Sequence, residues 1–301
     1  MDVPSGSDAA ESLAVGIRAE ELGALDRAAD QFLTASRSND PAVAAEAHAR
    51  LADVYRSRGD WVAAVESARR AQDLARSAGQ DTLVAHAMIA EANVSMCAGN
   101  FAEATALFER ALTVTADPRL RGLAMQNLGS ILAQQGRLRA AQRAFAESLG
   151  YFQRAEYPRG VAIALNNCGR VALDANDIPL ATDLLKQARA AARELENAEL
   201  TALVKLNQGE AALRSGDTDK ALELVAQSLG FFASCGNKWR EIECLRLIGE
   251  INEQQTDFRE AQGCYERALA MASELKASIE IRSLNERLAQ VAWKQRGKSS
   301  P

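Results

Sequence analysis

Small and apolar residues return along this chain in helical spacing, and the spacing itself repeats. Seven alanines anchor the repeat: Ala28, Ala64, Ala104, Ala141, Ala181, Ala221 and Ala261, at separations of 36, 40, 37, 40, 40 and 40 residues. Four residues beyond each anchor stands Phe32, Ala68, Phe108, Phe145, Leu185, Val225 or Tyr265. Three further on stands Ala35, Ala71, Ala111, Ser148, Ala188, Ser228 or Ala268. A spacing of i, i+4, i+7 is one face of a helix. Twelve residues before each anchor sits Gly16, Ala52, Ala92, Gly129, Gly169, Gly209 or Gly249, small because a neighbouring helix must approach closely there. Each unit reads as a hairpin of two helices, A then B.

Five residues before six of the anchors lies a turn residue, Gly23, Gly59, Gly99, Gly136, Asn176 or Gly216, and Asp60, Asn100, Asp177 or Asp217 follows four of them. Glycine and asparagine reach the left-handed conformation that ends a helix, and the residue after them can cap the next. The seventh repeat has Thr256 at this place, so its turn is expected to be the least regular. Ser148-Leu149-Gly150-Tyr151-Phe152 returns 80 residues later as Ser228-Leu229-Gly230-Phe231-Phe232, where helix B is expected to run past its usual end. After the last hairpin, Leu284, Leu288 and Val291 continue an apolar stripe among Glu286, Arg287, Gln290 and Lys294, as a solvating cap helix should.

These residues resemble the tetratricopeptide repeat, with its small residue in helix A, its Gly turn, and Ala plus an aromatic in helix B. The period near 40 is closer to the longer variants of kinesin light chains, LGN-type adaptors and MalT-like sensors. The resemblance implies an all-α, right-handed superhelical solenoid of antiparallel hairpins, seven repeats plus a C-terminal cap helix. Repeats would start near 9, 45, 85, 122, 162, 202 and 242 within a single solenoid over 9–295, with the cap at 279–295. Residues 1–8 and 296–301 are expected to be flexible. The implied function is a scaffold or adaptor holding a peptide or protein segment on a concave face; the alternative is a regulatory sensor whose superhelix responds to a small ligand or peptide.

In the family, helix A lines that face at the second, fifth, sixth, ninth, twelfth and thirteenth positions of the repeat. The sixth position here gives Asn127, Asn167 and Asn207 in three consecutive repeats. An asparagine amide both donates and accepts, so a ladder of them can grip the main chain of an extended peptide. Gln126, Asn166, Arg170 and Glu210 flank the ladder, with Leu123, Ile163 and Leu203 as apolar steps. The competing reading is that the asparagines bond neighbouring helices inside the array. Towards the N-terminus the same face is more apolar, with Leu13, Ile17, Ile89, Met96 and Cys97, and either suits a helix laid in a groove or packs against the neighbouring helix. The carboxylate clamp of chaperone-binding relatives is not matched, since Ala49, Asp53, Ile89 and Asn93 stand at its places.

Composition supports the helical reading: 48% of residues are hydrophobic but only 5% aromatic, and 6 prolines in 301 residues leave few helix breakers. A net charge of −5 lacks the basic field of nucleic-acid binding. Membrane insertion is not expected either, because charges interrupt every apolar stretch. With no export signal and five cysteines lacking a CxxC pair, a cytoplasmic location with reduced thiols is expected, and self-association is left open. Richness in alanine and arginine points to a bacterial source.

No enzyme is expected. His48 and His86, the two histidines, lack metal-site spacing, and no phosphate-binding glycine loop or cofactor motif occurs. Ser273-x-x-Lys276 lacks the companion phrases of serine acyl-enzymes, and the sequon Asn93-Val94-Ser95 falls mid-helix. The arginines Arg137, Arg139 and Arg143, and the tail cations Lys294, Arg296 and Lys298, read as solvated faces, the alternative being a weak contact with an acidic partner.

Overall fold

The computed structural model describes residues 6–21 and 24–297. Gly23, Lys298 and the outer parts of both expected flexible ends lie outside the described residues. The described residues form fifteen α-helices and no strand, in two compact units, Met1–Gly160 and Val161–Pro301. The first unit holds α1 (Gly6–Glu21), α2 (Leu25–Ala35), α3 (Pro41–Ser57), α4 (Trp61–Ala78), α5 (Asp81–Cys97), α6 (Phe101–Val114), α7 (Pro118–Gln134) and α8 (Leu138–Arg154). The second holds α9 (Pro158–Asp174), whose first turn precedes the division, α10 (Ile178–Glu194), α11 (Ala198–Arg214), α12 (Thr218–Ser234), α13 (Lys238–Gln254), α14 (Phe258–Glu274) and α15 (Ser278–Gln295). The all-α hairpin array expected from the repeat is the fold of each. Helices A begin three or four residues ahead of the repeat starts read from the sequence, because Asp40 and Asp117, each followed by proline, cap α3 and α7 there.

The predicted stripe on helix B is the core. Every one of its residues, from Ala28, Phe32 and Ala35 to Ala261, Tyr265 and Ala268, is at most 3% exposed. Each stripe packs on helix A of its own hairpin, and the small residue of helix A is where the two approach. A Cβ on Gly129 would lie 2.8 Å from the Phe145 ring, and one on Gly169 2.7 Å from Leu185 Cγ. Carbon atoms in contact settle near 3.5–4.0 Å, so only glycine fits. Where the stripe holds serine, its hydroxyl donates to a helix A carbonyl: Ser148 to Gly122 O at 2.8 Å and Ser228 to Ala202 O at 2.9 Å. In the first unit α1 also packs on α3, α3 on α5 and α5 on α7, and α11 packs on α13 in the second. Helices A are therefore the inner row of each unit.

The seventh turn corrects an expectation. Thr256 takes φ 64°, like Asn176 at 60° and Gly216 at 85°. Its N–H donates to Glu253 O at 3.1 Å, Asp257 N–H to Asn252 O at 2.8 Å, and the Asp257 carboxylate caps α14 by accepting from Glu260 N–H. These bonds force the left-handed residue whatever its side chain. Asn100, expected to cap α6, makes no side-chain cap bond. The extension of helix B is not particular to the two matching phrases, since α8, α10, α12 and α14 are all 17 residues long. A second row of left-handed residues, Glu156, Glu196, Gly236 and Lys276, ends those helices B.

The cap helix covers the last hairpin through Leu284 and Val291, as the stripe implied. Two of its expected solvated residues reach back instead. Arg287 donates to Glu250 at 2.9 Å and Lys294 to Glu253 at 2.7 Å, and Glu253 also accepts from the Tyr265 hydroxyl at 2.6 Å.

A β-branched residue held at positive φ costs about 1–2 kcal/mol. Thr256→Gly is therefore expected to stabilise the chain by about 1 kcal/mol, read as a rise of about 3 °C in Tm by thermal denaturation; a lower Tm would show that the threonine is not strained.

Candidate partner-binding face

The inner row of helices A carries polar side chains where each helix meets the next, and they form seams across the repeat. In the first unit Glu20 accepts from Arg50 at 2.7 Å, Arg50 donates to Glu46 at 2.8 Å, and Glu46 meets His86 Nδ1 at 2.9 Å. A parallel seam runs from Asp53 to Asn93 at 3.3 Å and from Asn127, which donates to Asn93 Oδ1, at 2.7 Å. In the second unit Asn207 donates to Asn166 Oδ1 at 2.8 Å. Beside that pair, Glu210 accepts from Arg170 and Arg214, each at 2.5 Å, while Arg170 also holds Asp174 at 2.7 Å. Arg214 completes the lattice by donating to Leu173 O.

The candidate residues can now be placed. Asn166, Asn207 and Glu210 are buried and engaged with neighbouring helices. Asn127 is half-buried and engaged with Asn93, so the amides of Asn127 and Asn207 are not free rungs of a ladder. The physical reason is packing: helices A lie close enough for a short amide to reach the next helix, and a buried amide left unpaired is costly. Asn167 is half-buried and makes no side-chain hydrogen bond among the described residues. Leu123, Ile163 and Leu203 are half-buried beside these seams, as is Gln126, whose Oε1 has no hydrogen-bond partner. In the apolar N-terminal stretch Ile89 is buried with Met96 packed against its cluster, Leu13 and Ile17 pack against a separate cluster around Phe32 and Leu51, and Cys97 is exposed.

Two grooves escaped the sequence. One, of about 400 Å³, lies between α13 and α15 and is lined by Trp239, Ile242, Glu243, Arg246, Ile279 and Ser283 among others. Trp239 is 53% and Ile279 81% exposed, unusual for such large apolar side chains. Glu243 and Ser283 continue the row of Ile163 and Leu203 at intervals of 40 residues, so the groove belongs to the same face of the second unit. The other, of about 470 Å³ in the first unit, lies among α4, α5 and α6. Its arginines are largely matched by acids, Arg69 with Glu91 at 3.7 Å and Arg76 with Asp73 at 3.3 Å.

Burial alone would push the Glu46 carboxyl up, but His86 and Arg50 beside it outweigh that and hold its pKa down at about 2. Burial and the nearby Arg70 push His48 down. Burial pushes the Cys168 thiol up to about 11 and the Cys244 thiol up to about 12, so neither is a thiolate at neutral pH. Ser273 donates its hydroxyl to Leu269 O of its own helix. Among the described residues no group of three His, Cys, Asp or Glu is placed to hold a metal, and no helix is long and apolar enough to cross a membrane.

Family models described as tetratricopeptide repeat match residues 13–80, 121–194 and 199–274. No curated protein matches the sequence. Among solved structures, the apo form of the quorum sensor NprR from B. thuringiensis is similar at TM-score 0.68 and 16% identity, over 86% of this chain and 75% of that one. Aspartyl phosphate phosphatase F from Bacillus subtilis is similar at TM-score 0.66 and 14% identity, over 84% and 68% of the two chains. A Rap protein complexed with competence and sporulation factor gives TM-score 0.61 and 13% identity, over 89% and 80%. At these identities the likeness is one of fold.

The lowered Glu46 pKa sets a pH dependence. Its contribution to stability is fully present above about pH 4.5, the ordinary value, and is lost as pH falls through about 2. Glu46→Gln is expected to cost about 2–3 kcal/mol at pH 7, and the gap to the parent should close towards pH 2. Urea titrations at several pH values measure this; a gap that stays constant with pH would show that the carboxylate charge is not what the seam uses.

Proposed function

We propose, from the premise that this chain belongs to the tetratricopeptide repeat family, that it is a scaffold holding a peptide or protein segment on its helix A faces. The observation that carries this reading is the groove between α13 and α15. It presents a half-exposed Trp239 and an exposed Ile279 above the buried Leu284, with Arg240, Glu243 and Arg246 around them. An apolar floor with a few charged groups at its rim is how proteins anchor one side chain of a partner and orient the rest. Arg240 is paired with Glu243 at 2.6 Å and Arg246 with Glu250 at 2.5 Å, so both guanidiniums are held in place with N–H groups left over.

From this groove the segment extends along the second unit over Leu203, Ile163, Arg170 and Asn167. Asn167 supplies the amide that grips its main chain. The first unit offers Leu123 and Gln126 on its own helix A face. Asn127, Asn166, Asn207 and Glu210 support the face by tying one helix A to the next. The scaffold performs no covalent chemistry and takes no cofactor in this reading.

A second reading, a sensor that responds to a bound segment, draws its support from the descriptions of two similar folds: a quorum sensor, and a Rap protein complexed with competence and sporulation factor.

A displayed peptide library selected on the immobilised chain, followed by calorimetry on the selected peptides, tests the proposal. Trp239→Ala with Ile279→Ser is expected to raise Kd at least about tenfold, a loss of about 1.4 kcal/mol, with little change in Tm. Asn167→Ala should weaken binding by about threefold. Peptides that bind these variants as well as the parent would remove the groove from the function. A selected peptide that raises Tm and changes the association of the chain with a protein partner would favour the sensor.

A further inference from the structure

The first unit carries a surface that the helix A grooves do not include. Residues 117–121 and 151–159 bring Arg119, Arg121, Arg154 and Arg159 against only two carboxylates, Asp117 and Glu156, in a chain whose net charge is −5. Asp117 is engaged as the cap of α7, accepting from Arg119 N–H at 2.7 Å and from Leu120 N–H at 3.3 Å. The patch is thus locally basic on an acidic protein.

Its arginines are ordered by two tyrosines. The Arg119 guanidinium lies 4.4 Å from the centroid of the Tyr157 ring, and that of Arg154 lies 4.6 Å from the Tyr151 ring. Tyr157 is fixed in turn, edge-on to Phe152 at 5.6 Å and close against Gly160, where a Cβ would meet its ring. Tyr151 is fixed by Arg121, which donates to its hydroxyl at 3.3 Å and anchors itself on Thr115 O at 2.8 Å and Leu112 O at 3.1 Å. Arg121 is a positioning residue. Arg119 and Arg154 make no ion pair among the described residues, and both are exposed.

A guanidinium stacked on a ring keeps its edge N–H groups free while losing much of its rotamer freedom, which suits it to meet a carboxylate with two parallel hydrogen bonds. The geometry points to a second docking surface, in which Arg119 and Arg154, held on Tyr157 and Tyr151, receive an acidic peptide segment of a partner protein. The other arginine-rich stretch, Arg137, Arg139 and Arg143, has no such aromatic platform and stays solvated. This surface lies in the first unit and the groove of α13 and α15 in the second.

The test uses the full chain and a fluorescein-labelled hexaglutamate peptide, read by fluorescence anisotropy. Arg119→Gln with Arg154→Gln is expected to raise Kd at least about tenfold without lowering Tm. Arg119→Lys with Arg154→Lys keeps the charge but loses the stacked fork, and should raise Kd about threefold. Binding should weaken as salt rises from about 0.05 M to about 0.2 M. Changing Arg137, Arg139 and Arg143 together to Gln should leave Kd within about twofold, as expected for rim charges away from a contact. The proposal is overturned if the two-site Gln variant binds like the parent, if the three-site Gln variant weakens binding as much, or if a labelled hexalysine peptide binds equally. It is also overturned if inorganic phosphate at matched ionic strength displaces the peptide completely, which would mark a small-anion site.

Discussion

The rest of the structure depends on how closely helix B can lie against helix A within a hairpin. A large side chain of the B stripe needs a small residue opposite it: Gly129 faces Phe145, Gly169 faces Leu185, and Ala92 stands at the same place for Phe108. Where the stripe shrinks to Ala68, helix A carries Ala52, and both are fully buried. A small residue on helix A thus lets helix B lie close within each of these hairpins. Successive helices A then pack on one another, α3 on α5, α5 on α7 and α11 on α13, and short polar side chains bridge them.

The polar seams follow from this spacing and limit what the inner face has left for a partner. Asn207 with Asn166, Arg170 with Glu210 and Glu46 with His86 hold neighbouring hairpins in register. On the proposed reading, a partner meets what remains: half-buried aliphatic side chains, the amide of Asn167, and the edges of arginines already oriented by carboxylates. Binding to such a face requires little reordering, because the seams have already fixed the side chains around it.

How much of this was legible in the sequence depended on whether a residue's role showed in its type. The buried stripe was legible because size alternates with a fixed period, and every stripe residue is in the core. The turns at Gly59, Gly136 and Gly216 were legible because glycine advertises a left-handed backbone. Thr256, Glu156, Glu196 and Lys276 take the same conformation with no such signal, since hydrogen bonds from the flanking backbone dictate it. The asparagines were visible as a row but not as partners: an amide facing solvent and one facing the next helix have the same spacing. Whether Asn207 meets Asn166 or Asn167 depends on an offset of one residue between helices, which no periodicity encodes. The groove of α13 and α15 was missed because Trp239, one period before Ile279, stands ahead of the repeat start read near 242. The tyrosine platforms of the first unit depend on which way two arginines fold.

The cross-repeat bonds have one further consequence. Asp53 to Asn93, Glu46 to His86 and Arg170 to Glu210 each span 40 residues, and the longest bonds described, such as Lys294 to Glu253, span 41. Among the described residues each hairpin bonds to its nearest neighbours, and within each unit stability propagates as in a row of coupled repeats. A gene encoding such a protein can gain or lose a block of one period and keep every remaining bond in register. Length is then a variable that selection can adjust without redesigning the core.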